Sequence, residues 1–310
     1  MKLIFSPTRL AALVFISLIV FGSCKKETSA DTTQEEFASQ ASSEADAESD
    51  DIFNEVFDNV LGVNTDVGFG NTGVFGRMNS SGEPGETARL NACPNVTVTL
   101  TNSPNLFPKK VVMDFGIGCV GRDGRTRSGK IITVYTNRLF EFGATATTEF
   151  DNFTVDSIKV QGKHVILNQG EAISTSPNLC IRHKWKVTIT DAKLTKPNGN
   201  YTEWNSTKTI TQVEGTCTPF IQIDDIYKIE GGGHGKVKRG DLLIAWNSEI
   251  TDPLVKKFSC RWLVKGVIRI ARINLTTNSP WVAAINYGTG DCDNKAVVSI
   301  NGVVHNITLP

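Results

Sequence analysis

A glycine-rich loop with four basic residues is one of the few candidate binding sites in this sequence. The basic residues follow a Gly-x-Gly pair and comprise Arg122, Arg125, Arg127 and Lys130. The backbone N–H groups of such a loop, together with guanidinium groups, can bind a phosphate or a sulfate. Neither the dinucleotide fingerprint nor the P-loop pattern surrounds these residues. The anion site is therefore a hypothesis, and the pattern favours a tight glycine turn with solvated arginines.

A second polar loop near the C-terminus contains Asp291, Asp293 and Asn294. Their oxygen atoms could bind Ca²⁺. The loop lacks the central glycine and the terminal Glu of an EF-hand, so the residue types favour turn capping over metal binding. We expect no metal and no cofactor.

Aromatic side chains offer a third candidate site. Tyr201 and Trp204 lie in a very polar predicted strand, where an exposed indole ring could stack on a sugar. A core position is the alternative for Trp204. Residues 231–235, four glycines and a histidine, predict a mobile loop. The histidines are scattered and no GxSxG elbow occurs, so the sequence predicts no catalytic residue.

Seven cysteines indicate the compartment. If Cys24 is set aside, six remain, an even number that favours three disulfides in an oxidising environment. Each consecutive pair flanks two predicted strands with a turn near their middle, so closing the hairpin brings the two thiols together. The predicted bridges are Cys93–Cys119, Cys180–Cys217 and Cys260–Cys292. A metal site is the competing interpretation, but the chain has no CxxC or HxxH spacing.

Cys24 closes a predicted signal peptide over residues 1–23. Lys2 and Arg9 give a positive start, and residues 10–21 form an apolar run too short to span a bilayer. The sequence Phe21-Gly22-Ser23-Cys24 resembles the bacterial lipobox, in which the cysteine is lipidated. This predicts an outer-membrane lipoprotein anchored at Cys24, facing either the periplasm or the cell surface. An ordinary signal peptide cut nearby is the alternative.

The next segment is strongly acidic. Residues 24–59 contain two basic and eleven acidic residues, a net charge of −9. Such a composition cannot bury enough apolar surface to offset chain entropy, so we expect a disordered tether over residues 24–49. Apolar residues at helical spacing then predict one short amphipathic helix over residues 50–62. Packing of this helix on the rest of the protein is favoured over partner binding.

The rest of the chain, residues 63–310, predicts an all-β fold. Alternating β-branched and aromatic residues between Gly, Asn, Pro and Asp turns indicate twelve to sixteen antiparallel strands. We expect a sandwich or a half-barrel of long, disulfide-tied hairpins. Two stretches of the form aromatic, Gly-x-Gly, cysteine, at residues 115–119 and 287–292, suggest two similar sub-halves. From residue 60 onward the net charge is +7, which suits anionic glycans or lipopolysaccharide; a scattered, solvated charge pattern is the alternative.

Two motifs carry a family resemblance. The run DFGxGC followed by DGRxRxGKI, and the run YGxGxCDNKA near the C-terminus, are similar to secreted lipoproteins of Bacteroidota-type bacteria. The resemblance covers roughly residues 93–309. It implies an envelope location and a β-rich fold, and it implies no activity.

Together these patterns predict a membrane-anchored lipoprotein that is a non-enzymatic binding or structural module. A glycan, lipopolysaccharide or a surface protein is the expected partner, and no nucleic acid is expected. The first alternative is a periplasmic carrier with a curved sheet around an apolar cavity for a lipid. A glycan-acting hydrolase is the third interpretation, and it requires two carboxylates about 5 to 9.5 Å apart in a cleft.

Overall fold

A computed structural model describes residues 29–70, 73–75, 93–121, 123–175, 178–218, 222–273 and 279–309. The predicted signal peptide, Cys24 and Arg122 lie outside these residues. The described chain contains one long helix, sixteen strands and two short 3-10 turns. No described helix combines the length and the apolar character needed to cross a membrane.

The helix, α1, spans Ser29–Gly62. The strands follow in chain order: β1 Asn95–Leu100, β2 Lys109–Asp114, β3 Cys119–Val120, β4 Thr126–Tyr135, β5 Thr145–Val155, β6 Ile158–Asn168, β7 Glu171–Thr175, β8 Asn178–Arg182, β9 Lys184–Thr195, β10 Tyr201–Glu214, β11 Ile226–Arg239, β12 Leu242–Lys257, β13 Leu263–Arg272, β14 Ala283–Thr289, β15 Lys295–Ile300 and β16 Val303–Thr308. The 3-10 turns are Gly73–Phe75 and Gln222–Asp224.

Fourteen strands form one antiparallel sheet, which confirms the all-β prediction. Its order is β1-β2-β4-β5-β6-β9-β10-β11-β12-β13-β14-β15-β16, with the short β3 paired to β4. Neighbours in this sheet follow one another in sequence with two exceptions. The short β3 lies between β2 and β4 in the chain, and the hairpin β7–β8, which forms a separate two-stranded sheet, lies between β6 and β9. Such a meander needs only short turns, because antiparallel strands can be joined by tight hairpins.

The sheet curls around α1. Arg261, between β12 and β13, has its Nη1 atom 3.9 Å from Oδ2 of Asp123, between β3 and β4. In a flat sheet these loops would lie about 30 Å apart, since neighbouring strands are about 4.8 Å apart. Tyr135 of β4 donates a hydrogen bond to the carbonyl of Val60, and Lys256 of β12 pairs with Asp58. Distant strands therefore meet the same helix.

The helix fills the concave face with two kinds of side chain. Its second half packs aromatic and aliphatic residues into the core, and the rings of Phe53 and Trp204 have centroids 5.8 Å apart. Its first half buries Ala38, Ala41 and Ala45 instead. Because these side chains are small, the helix backbone can lie close to the sheet. The space that larger helix side chains would occupy is available to the buried tryptophans of the sheet.

The predicted tether is wrong for residues 29–49, because the helix begins at Ser29 rather than at residue 50. An apolar stripe is missing from this half because its buried face consists of alanine, serine and aspartate. Ser42, Ser43 and Ser49 are fully buried, and each donates a hydrogen bond to a carbonyl three or four residues earlier in the helix. The composition that suggested disorder is therefore the composition of a buried polar helix face.

All three predicted disulfides are confirmed. Cys93–Cys119, Cys180–Cys217 and Cys260–Cys292 have Cα–Cα distances of 6.1, 4.4 and 5.7 Å. They lie at the open ends of the hairpins β1–β2, β9–β10 and β13–β14.

The two repeated sequence stretches share local geometry. Asp114 accepts a hydrogen bond from the backbone N–H of Gly116, and Asn286 accepts the equivalent bond from Gly288, each at 2.9 Å. Both glycines have positive φ angles, 61° and 94°, which glycine adopts at no steric cost. The preceding polar residue therefore caps the same turn in both hairpins.

Candidate functional site

A buried carboxylate on the helix lies at the centre of the concave face. The Oδ1 atom of Asp46 accepts hydrogen bonds from the indole Nε1 atoms of Trp204 and Trp246, both at 3.0 Å, and from Oγ of Ser248 at 2.9 Å. Burial raises the pKa of Asp46 above its usual range. The three donors converge on this one oxygen and fix the position of the helix against β10 and β12.

The predicted sugar-stacking site is therefore not on the surface. Trp204 is 1% exposed, and its ring is part of the core. The strand looked exposed because its inward side is polar, with Thr202, Ser206 and Lys208 also buried. These side chains face a polar helix rather than water. Tyr201 is half-buried, and Nζ of Lys193 lies 4.3 Å from the centre of its ring.

The rings of Trp204 in β10 and Trp246 in β12 extend over β11, the strand between them, and need space there. Residues 231–235, predicted as a mobile loop, lie in the middle of β11, so that prediction is wrong. A Cβ atom on Gly235 would lie 2.7 Å from the ring of Trp246, and one on Gly233 would lie 3.2 Å from Nε1 of Trp204. The glycines therefore leave the room in which the indole rings reach Asp46.

The predicted anion site is occupied by the protein's own carboxylates. Nη1 of Arg125 lies 2.8 Å from Asp51 and 3.0 Å from Glu55, and its Nε atom lies 2.8 Å from Asp156. Nε of Arg127 lies 2.6 Å from Glu55. Both guanidinium groups are buried, so they are not free for a soluble phosphate.

Burial and ion pairing act in opposite directions on the pKa values of this cluster. Although burial lowers the pKa of Arg127, its hydrogen bonds to Asp123 and Glu55 raise it above the usual value. Burial raises the pKa of Asp51 to about 6, against the opposing effect of Arg125. Lys130, the fourth predicted residue, is half-exposed and lies 3.3 Å from Asp114 on the same sheet.

Further ion pairs continue along the helix. Asp50 pairs with Lys208, and Glu35 pairs with Arg272. Other pairs along the helix are Glu48 with Lys196 at 2.8 Å, Asp58 with Lys256 at 2.5 Å, Glu44 with Arg239 at 4.0 Å and Asp51 with Arg261 at 4.0 Å. Nε2 of His305 also lies 3.3 Å from the carboxylate of Glu36. The acidic segment and the basic sheet thus neutralise each other inside the fold. The opposite net charges of the two regions were the sequence signal for this contact.

A cleft adjoins the charged cluster. Its lining includes Asp50, Asp51, Lys256, Arg261 and Tyr287. Its volume of about 20 Å³ holds little more than one water molecule. The cleft is therefore too small for a sugar ring, and the charged side chains around it are held in the helix–sheet contact.

A second buried polar cluster lies near the C-terminal end of the helix. Asp225 accepts hydrogen bonds from Nε2 of Gln212 and from the hydroxyl of Tyr227, both at 2.7 Å. The backbone N–H of His183 donates to Gln212, and the His183 ring stacks on Trp185 with centroids 5.3 Å apart. Burial raises the pKa of Asp225 to about 6 and lowers that of His183 to about 4. His183 is therefore neutral at pH 7, and the cluster joins β10 and β11 to the start of β9.

The weak calcium candidate lies in a turn. The carboxylate of Asp293 accepts a hydrogen bond from the backbone N–H of Lys295, and the carbonyl of Asn294 accepts one from Leu309. Asp291 precedes this turn and is exposed. Within the described residues, no three His, Cys, Asp or Glu side chains form a group that could hold a metal ion.

Comparison of the chain with protein-family models, with curated proteins and with solved structures finds no match.

Proposed function

We propose that the chain is a membrane-anchored bacterial lipoprotein of the outer membrane whose folded part is a non-enzymatic binding or structural module. One observation carries the proposal: α1 begins at Ser29, five residues after Cys24, and runs into the core of the sheet. Five residues span at most about 17 Å. A lipid at Cys24 would therefore hold the folded body close to the bilayer.

The helix is suited to connect such an anchor to the body. Its carboxylates pair with β4, β10, β12 and β13, so a pull on the N-terminus acts on many strands at once. Removing one partner of a buried ion pair costs about 3–5 kcal/mol, and several pairs would have to break together. A short anchor on a firmly held helix fits a module that keeps its place while it binds a partner.

A protein partner fits the described surface better than a glycan does. The sugar-stacking interpretation loses its support because Trp204 is buried. At the sheet edge, Val98 and Leu100 of β1 are 38% and 45% exposed. Among the described strands β1 pairs with β2 alone, so its other edge offers backbone groups to an added strand.

The carrier interpretation has less support, because α1 occupies the concave face that would have to enclose a lipid. The hydrolase interpretation also has little support, because Asp46, Asp50, Asp51 and Glu55 are committed to the sheet.

Mass spectrometry of the mature protein and fractionation of the membranes test the anchor. We expect an N-terminal diacylated Cys24 in the membrane fraction, and we expect the Cys24→Ala variant to lose both the lipid and the membrane association. Thr28→Ala, four residues downstream, is the matched control and should keep both. An unmodified Cys24 in the wild-type protein would refute the anchor.

A further inference from the structure

Exposed apolar side chains of the β12–β16 part of the sheet lie near the point where the helix leaves the sheet. The buried face of the helix begins at Ala38, and Phe37 just before it is 47% exposed. Four residues of the sheet rim are also exposed: Leu243 by 59%, Ile273 by 51%, Val303 by 49% and Val304 by 61%. We call these five residues the rim patch.

Contacts to the first turns of the helix place β13 and β16 at this rim. Arg272, next to Ile273, pairs with Glu35, and His305, next to Val304, lies 3.3 Å from Glu36. These two carboxylates immediately precede Phe37 in the helix.

The other rim residues are tied to the same place by backbone hydrogen bonds. The N–H of Ile273 donates to the carbonyl of Ala245 at 2.9 Å, two residues from Leu243. The N–H of Asn301, in the turn before Val303, donates to Pro280 at 2.8 Å. The carbonyl of the next residue, Trp281, accepts a hydrogen bond from Ser39 of the helix.

We propose that the rim patch is a lipid-contact surface that rests on the bilayer. The argument depends on where the chain ends before the helix. Between Phe37 and Ser29 the helix rises about 12 Å, and five further residues reach Cys24. A lipid at Cys24 therefore brings this rim, rather than the opposite one, to the membrane.

The distance along the helix separates the two rims. Val60 lies about 35 Å along the axis from Phe37, at the end where Tyr135 of β4 contacts the helix. Scattered exposed apolar residues are common on soluble proteins. What distinguishes the rim patch is that it lies at the end of the helix that carries the predicted anchor. The diacylated cysteine supplies the stable attachment, and the rim patch sets which side of the folded body faces the bilayer.

Hydroxyl-radical footprinting of the mature chain, residues 24–310, tests this surface. A maleimide phospholipid is coupled to the Cys24 thiol, which is selective because the other six cysteines form disulfides. The protein is then placed on vesicles of phosphatidylethanolamine and phosphatidylglycerol. We expect oxidation of Phe37 to slow by about threefold or more, because the bilayer excludes water from it.

Phe142 is the matched control. It is 79% exposed in the β4–β5 loop, at the far end of the helix, and its oxidation should be unchanged. Equal oxidation of Phe37 in solution and on vesicles would overturn the proposal, and so would equal protection of both rings.

A vesicle-binding measurement separates the surface from the anchor. Without lipid at Cys24, the variant Ile273→Ser/Val304→Ser should bind the same vesicles several-fold more weakly than wild type, whereas Ile223→Ser, exposed at the other end, should bind as wild type does. Equal binding of all three proteins would count against the surface. The proposal of a lipid-contact surface rests on the proposed lipid anchor. Both tests, however, control the lipid chemically, so their outcomes do not depend on whether Cys24 is lipidated in the cell. An unmodified Cys24 in the native protein would therefore refute the anchor, and an unprotected Phe37 would refute only the surface.

Discussion

Nε1 of Trp246 lies 3.0 Å from Oδ1 of Asp46, although 200 residues separate the two in the chain. The same oxygen accepts the indole N–H of Trp204. One carboxylate of the acidic segment therefore joins two strands that flank β11. The contact makes residues that looked like a tether part of the core of the protein.

Removal of this carboxylate should be costly. We expect Asp46→Ala to lower the free energy of unfolding by about 3 kcal/mol or more, because it leaves two buried indole N–H groups without an acceptor. Asp46→Asn keeps an acceptor and should cost less. Urea unfolding followed by tryptophan fluorescence measures both. Glu44→Ala is the control, since its carboxylate is 43% exposed and lies 4.0 Å from Arg239, and it should cost less than about 1 kcal/mol.

The arginine cluster distinguishes an internal role from ligand binding. Arg127→Met should lower the free energy of unfolding by about 3–5 kcal/mol, because buried Asp123 loses its close partner and Glu55 keeps only Arg125. Lys130→Met, at a half-exposed pair, should cost about 1 kcal/mol or less. If inorganic phosphate instead raises the melting temperature of the wild type but not that of Arg127→Met, the result would support the anion-site hypothesis.

Stability should depend on pH through Asp225. Its pKa is 3.8 in the reference state and about 6 in the fold, so the folded protein keeps a proton that the unfolded chain releases. The protonated carboxyl of Asp225 adds at most about 3 kcal/mol to the free energy of unfolding. This contribution is fully present below about pH 4 and is lost as the pH rises through about 6. The urea midpoint at pH 4.5, 5.5 and 7 measures the slope.

The same reasoning applies to Asp51, whose folded pKa is also about 6. Asp225→Asn should remove the contribution of residue 225 to the dependence of the free energy of unfolding on pH between pH 4 and 6. The contribution of Asp51 to that dependence should remain. A slope unchanged by Asp225→Asn would show that this carboxyl does not titrate in that range.

Deletion of the acidic segment tests its place in the fold. A chain without residues 29–49 should fail to fold, because Trp204 and Trp246 lose their acceptor and Arg272 loses Glu35. Near-ultraviolet circular dichroism of the tryptophans reports the loss. Deletion of residues 25–28 is the control and should keep the native signal. If the protein folds without residues 29–49, this segment is a tether and not part of the core.

The strands and the disulfides could be predicted because their signals are local. Alternation along β9 or β13 shows which face is buried, and the turn between Cys260 and Cys292 brings both to one hairpin end. A sequence pattern of this kind needs only neighbouring residues, and a meander of hairpins keeps neighbours together.

The helix and its site could not be predicted in the same way. Asp46 and Ser42 are polar residues on a buried face, and they become favourable only beside donors and close packing supplied by distant strands. Trp204 was misplaced for the same reason, since a polar strand face can oppose a polar helix instead of water. The charge of −9 before residue 60 and +7 after it was the available signal, because opposite net charges in one chain favour contact between the regions that carry them.

The position of the helix in the chain also has a consequence for folding. Glu36 is near the N-terminus, yet its partner His305 lies in the last strand, 269 residues later. A chain that crosses a membrane N-terminus first would deliver its helix before any strand exists to cover it. Contacts this distant in sequence make folding slow, because the loop between them must close first. We expect the serine and carboxylate side chains on the future buried face to keep this segment soluble until the sheet has assembled around it.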